Sequence, residues 1–111
     1  MNPVIKLADM PMAEHPPYQD PNLRGQIGTI FKSDDGRFVA ARWIAQGPGT
    51  LLERPDCDEL ICILAGHATV KLNGQTSTAG PGDVILWLKD HTPIITIENR
   101  LEAFCCAYTP T

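Results

Sequence analysis

A chain of 111 residues with 43% hydrophobic residues and a formal charge of -4 has room for one core and is too apolar for a disordered segment. The acidic balance excludes a phosphate-backbone partner and an anionic membrane surface as first-choice ligands, and no stretch approaches the ~18 consecutive apolar residues of a membrane span. The first twenty residues lack the basic start and apolar centre of an export signal, so a cytoplasmic setting is expected, with the four cysteines as thiols.

Residues 1–25 are expected to form an N-terminal strand and arm, with an irregular course over 8–25. Pro11, Pro16, Pro17 and Pro21 remove backbone donors and forbid a continuous helix there. From residue 26 onward the chain reads as short strands separated by turn chemistry. "IGTIFKS" and "RFVAARWIA" flank "DDG", which predicts a hairpin turning at Gly36. "ELICILAG" ends at Gly66, and "HATVKLNGQTSTAG" carries Asn73-Gly74, a strong hairpin signal. "PGDVILWL" follows a Pro81-Gly82 turn, and "PIITIEN" and "EAFCCAYT" complete the series. No window carries a capped helical period. Strands recurring at this spacing predict an all-β barrel or sandwich over residues 26–109. "LICIL" and "VILWL" are apolar at every position, so both faces of these strands are expected to be covered, one by the barrel interior and the other by a second sheet or a partner subunit. A homodimer is the expected assembly.

The segment from Gly47 to Gly66 holds Gly47, Glu53, Pro55, Glu59 and Gly66, and a second holds Gly82, Leu88, Asp90, Pro93 and Ile97. These two frames resemble the paired motifs of the cupin superfamily, across roughly residues 26–109. The resemblance implies a double-stranded β-helix, or jelly-roll, barrel built as a single domain. It is similar to small cupins whose metal-binding motifs have degenerated. Glu53, Pro55 and Pro93 stand where that family carries histidines, and only Glu59 keeps its motif identity.

What the resemblance implies for chemistry centres on Glu59 and Glu53, whose counterparts in the family face one cavity. Two carboxyls in an apolar barrel form an acid–base pair, because burial disfavours their charged forms. His91, in the "KDHTP" turn, is the third candidate catalytic group. Arg42 and Arg54 are candidate ion-pair partners for the glutamates, the alternative being an ordinary salt bridge at the barrel mouth. Arg42, Trp43, Trp87, Cys106 and Tyr108 are candidate substrate-binding residues, with Phe104 as a further aromatic wall. Strand alternation groups Phe104, Cys106 and Tyr108 against Cys105, and Glu59, Ile61 and Ile63 against Leu60, Cys62 and Leu64. Cys62, Cys105 and Cys106 are read as small buried hydrophobes, and Cys57 as the thiol placed nearest to chemistry. His15 and His67 are read as structural or exposed.

Three functions follow. The first is a metal-independent acid/base enzyme of lyase, isomerase or cyclase type acting on a small organic molecule, with no cofactor. The second is a non-catalytic small-molecule-binding module. The third is a metal-dependent enzyme holding a weakly bound divalent ion through Glu53, Glu59 and His91.

Overall fold

A computed structural model describes residues 3–110. Met1, Asn2 and Thr111, the ends of the expected arm and domain, lie outside the described residues. Among the described residues ten strands follow one short 3-10 turn, Leu7–Asp9. They are β1 (Ala13–Glu14), β2 (Arg24–Lys32), β3 (Phe38–Gln46), β4 (Gly49–Leu51), β5 (Asp58–Gly66), β6 (Ala68–Leu72), β7 (Gln75–Ala79), β8 (Val84–Trp87), β9 (Ile94–Ile97) and β10 (Arg100–Tyr108).

A six-stranded sheet runs in the order β1-β2-β3-β10-β5-β8, and a four-stranded sheet in the order β4-β9-β6-β7. All pairings are antiparallel. After β3 the chain passes repeatedly from one sheet to the other, which is the jelly-roll connectivity the motif frames imply. The expected hairpins form where expected. Asn73 and Gly74 both take positive φ, 52° and 78°, the conformation a tight two-residue β turn requires.

The side-chain alternation expected for β5 and β10 holds. Ile61, Ile63, Leu101, Ala103 and Cys105 point into the space between the sheets and are buried, as are Ile85, Ile95 and Ile97 from the facing strands. Burying each large aliphatic side chain contributes about 1.5–3 kcal/mol. The opposite face of the large sheet stays open in the single chain, with Leu60, Leu64, Val84, Leu86 and Tyr108 all exposed. Cys62 and Cys106 lie on that face, half-buried rather than buried.

The arm is more regular than its prolines suggest. Its residues Ala13 and Glu14 pair with Ile27 and Gln26, and the His15 N–H donates to the Gly25 carbonyl. Pro11 and Pro16, which lack a backbone N–H, bracket this stretch and keep β1 short. Strand β2 starts at Arg24, so the barrel begins slightly before residue 26.

Candidate functional site

The arm crosses one end of the barrel and covers part of it. Glu53 Oε2 accepts the Gln19 N–H at 2.9 Å, and the two carboxylate oxygens of Asp20 accept the N–H groups of Asn22 and Thr50. Those bonds hold the Asp20 carboxyl below the usual range. Between these staples Tyr18 turns inward and is buried. Gly25 makes this possible, because a Cβ there would run into the Tyr18 phenol.

Beneath the arm lies a cavity of about 120 Å³ lined by His15, Tyr18, Ile27, Trp43, Leu51, Glu59, Ile61, Trp87 and Cys105. Its walls come from β2, β3, β4, β5, β8 and β10, and its roof from the arm. Glu59 and Trp87 are direct cross-strand partners on β5 and β8, so both project from the same face of the sheet. Trp43 reaches the same space from β3, and its Nε1–H donates to the Tyr18 hydroxyl oxygen at 2.9 Å. His15 stacks flat on Tyr18, with ring centroids 4.4 Å apart, and its Nδ1 lies 2.7 Å from the Pro16 carbonyl. In that contact Nδ1–H is the donor and the Pro16 carbonyl oxygen the acceptor.

Burial raises the Glu59 carboxyl to about 6. Among the described residues no cation or hydrogen-bond donor opposes this. Burial likewise pushes the Tyr18 phenol up to about 12, with the Trp43 bond pulling against it. Burial and the Glu59 charge push the Cys105 thiol well above its ordinary range. Tyr18 and Cys105 are therefore neutral at physiological pH, and Glu59 is the acidic group of the cavity that titrates near neutrality. Among the described residues, Trp87 Nε1 is buried and has no hydrogen-bond partner.

The structure gathers Glu59, Trp43 and Trp87 in this cavity and sends the other sequence candidates elsewhere. The Glu53 carboxylate is occupied by the backbone N–H groups of Gln19 and Leu52. His91 lines a separate surface groove with Leu52, Arg54, Asn73 and Pro93. Arg42 projects from the outer face of β3, where it pairs with Glu102 at 3.1 Å and donates to the Leu7 carbonyl. It is therefore not the partner of either cavity-side glutamate. Cys106 and Tyr108 alternate with Cys105 on β10 and also face outward. Burial and the Glu59 charge raise the Cys57 thiol rather than activating it.

His15 and Tyr18 were missed as cavity residues. The available signal was a lone aromatic in a proline-rich polar segment, "HPPYQD", since a large apolar ring there needs somewhere to be buried.

A metal fits this arrangement poorly. Glu53, Glu59 and His91 are not brought together, and among the described residues no group of three or more His, Cys, Asp or Glu side chains could hold an ion. A stable site needs three or four convergent donors.

Two antiparallel sheets in jelly-roll order, packed over a small cavity between the motif strands, give the chain the fold of small cupins. Neither a protein-family model nor a curated protein sequence matches it, and the likeness lies in three-dimensional structure. The Clostridium difficile EutQ protein superposes with a TM-score of 0.78 at 14% identity, covering 96% of this chain and 86% of that one. The Schizosaccharomyces pombe Cnp3 cupin domain gives 0.70 at 15% identity, covering 97% and 74%. The polyketide cyclase RemF from Streptomyces resistomycificus gives 0.71 at 18% identity, covering 99% and 81%. At these identities the shared property is the fold.

Proposed function

We propose that this cupin is an enzyme of lyase, isomerase or cyclase type that moves a proton on a small organic molecule held in the barrel, with Glu59 as the acid/base and no metal. The observation that carries this reading is the placement of Glu59. It is a carboxyl in an apolar cavity with no counter-charge, raised to about 6 by burial, so it exchanges its proton close to neutral pH. The similarity to a protein described as a polyketide cyclase is compatible with such chemistry. In the forward step the Glu59 carboxylate takes a proton from the carbon beside a carbonyl. The C–H electron pair forms the new C=C bond, and the carbonyl π pair moves onto oxygen. The reverse step returns a proton to the carbon.

The test is deuterium exchange in D2O, followed by NMR, at the α-carbons of small cyclic ketones such as cyclopentanone. Wild-type protein should accelerate the exchange. The rate should rise with pH through about 6 and then level, because the base is the ionised form. Tyr18, Cys105, Cys57 and His15 also face Glu59, so the same profile is measured in Glu59→Gln, which should lose at least about 100-fold in rate. Equal exchange in the two proteins would refute the assignment. Ketone binding without any exchange would support the non-catalytic binding module instead.

The exposed apolar face of the large sheet supports a homodimer as the working assembly, with a second copy covering Leu60, Leu86 and their neighbours.

A further inference from the structure

We infer that the Trp87 indole N–H is the recognition donor for the oxygen of a small, uncharged carbonyl compound. The inference rests on the acid/base reading of the cavity and specifies the ligand that the cavity accepts.

Three observations converge on it. Trp87 lines the cavity, and its Nε1 is buried and finds no acceptor among the described residues. A buried donor left without a partner is costly, so such a group marks a place where a ligand supplies the missing acceptor. The other indole offers a contrast within the same cavity, since Trp43 Nε1–H is already bonded to Tyr18. Trp87 is therefore the indole with a bond left to give.

Position comes next. Trp87 and Glu59 are directly paired across β8 and β5 and share one face of the sheet. A carbonyl oxygen held by Trp87 puts the adjacent carbon on the Glu59 side of the cavity. An N–H aimed at that oxygen also stabilises the negative charge that grows on it when the α-proton leaves. Trp87 would then touch the reacting atoms of the substrate.

Size and charge define the rest of the ligand. A cavity of about 120 Å³ is comparable to the ~150 Å³ sites that enclose a benzene ring, so about six non-hydrogen atoms fill it. The lining residues are aliphatic or aromatic apart from Glu59, His15 and Cys105. Of the two candidate cations, Arg42 is bound to Glu102 on the far side of the sheet and Arg54 lines the separate groove beside His91. A carboxylate or phosphate ligand would meet Glu59 without a paired arginine or lysine. A neutral ring ketone meets no such penalty.

The experiment is a titration of 15N-labelled protein with cyclopentanone, reading the two indole N–H resonances. The Trp87→Phe spectrum assigns them by the peak it lacks. The expected result is a saturable downfield shift of the Trp87 proton that exceeds any shift of Trp43. Methylenecyclopentane, which has the same shape but no acceptor oxygen, should not reproduce it. Trp87→Phe should weaken cyclopentanone about three- to tenfold and leave methylenecyclopentane unchanged. Cyclopentanecarboxylate should bind less tightly than the ketone. A Trp87 resonance that stays in place at saturation would overturn the inference. An equal response to the alkene, tighter binding of the carboxylate, or no binding of the ketone at all would do the same. The result separates cleanly from the catalytic reading. Glu59→Gln should keep the Trp87 response while losing exchange, and a wild-type response with no exchange would sink the catalytic reading alone.

Discussion

Replacing Glu59 by Gln should make the protein more stable above pH 6, and the structure gives the size of the effect. The folded state holds the Glu59 proton more tightly than the unfolded chain does, at about 6 against an ordinary 4.5. Charged Glu59 therefore favours unfolding. The stability associated with its protonated form is fully present below about pH 4.5, falls as pH rises through 6, and is gone above that. A tenfold change in acidity corresponds to about 1.4 kcal/mol, so the whole swing is about 2 kcal/mol. That figure is a ceiling, because the carboxyl is half-buried and water screens part of the field. Glutamine keeps the shape and does not ionise. The assay is urea unfolding from pH 4.5 to 8 under reducing conditions, followed by tryptophan fluorescence. The quantity of interest is the difference in stability between variant and wild type, in which unrelated groups such as Asp20 and Asp35 cancel. The pair is repeated in a His15→Gln background, since His15 lines the same cavity. The difference should grow in favour of the variant by up to about 2 kcal/mol between pH 4.5 and 7. A difference that does not change with pH would refute the assignment of Glu59 to a desolvated site.

Gly25→Ala should push Tyr18 off its seat, since the new Cβ would lie against the phenol. A loss of about 1–3 kcal/mol is expected, together with a changed Trp43 indole resonance, and retention of both stability and resonance would contradict the described closure. Sedimentation should find a dimer at micromolar concentration, and Leu60→Glu with Leu86→Lys should yield a monomer with unchanged circular dichroism, because both side chains sit on the open face of the large sheet. Dialysis against EDTA should leave deuterium exchange unaltered and the isolated protein should carry substoichiometric metal; stoichiometric manganese, iron, nickel or zinc lost together with activity would overturn the metal-free reading.

The barrel was legible because its signals are local. Asn73-Gly74 specifies a turn whatever surrounds it, and period-two alternation separates Ile61 from Cys62 along β5 and Cys105 from Cys106 along β10 before any packing is known. The same alternation groups Glu59 with Ile61 and Ile63, and it was the resemblance that aimed this group at a cavity. The arm was harder to read. Proline content forbids a helix but does not say that Ala13 and Glu14 pair with β2, or that Tyr18 enters the barrel. Those contacts join residues more than ten positions apart in sequence, and Trp43 and Tyr18 meet across 25.

The motif frame led to a pairing of Glu53 with Glu59 because it preserves position along the chain and carries no information about what captures a side chain. Glu53 occupies a ligand position in the cupin frame, yet its carboxylate is bound by the backbone N–H groups of Gln19 and Leu52. The arm thus takes over a side chain that the motif would aim at a metal. Pro55 and Pro93 remove two more donors from the frame, and Glu59 is the one carboxyl among the described residues that lines the cavity. An isolated carboxyl without ion or arginine is raised by desolvation, which is the condition for proton transfer near neutral pH. The acid/base role proposed for Glu59 therefore rests on desolvation that no neighbouring cation offsets.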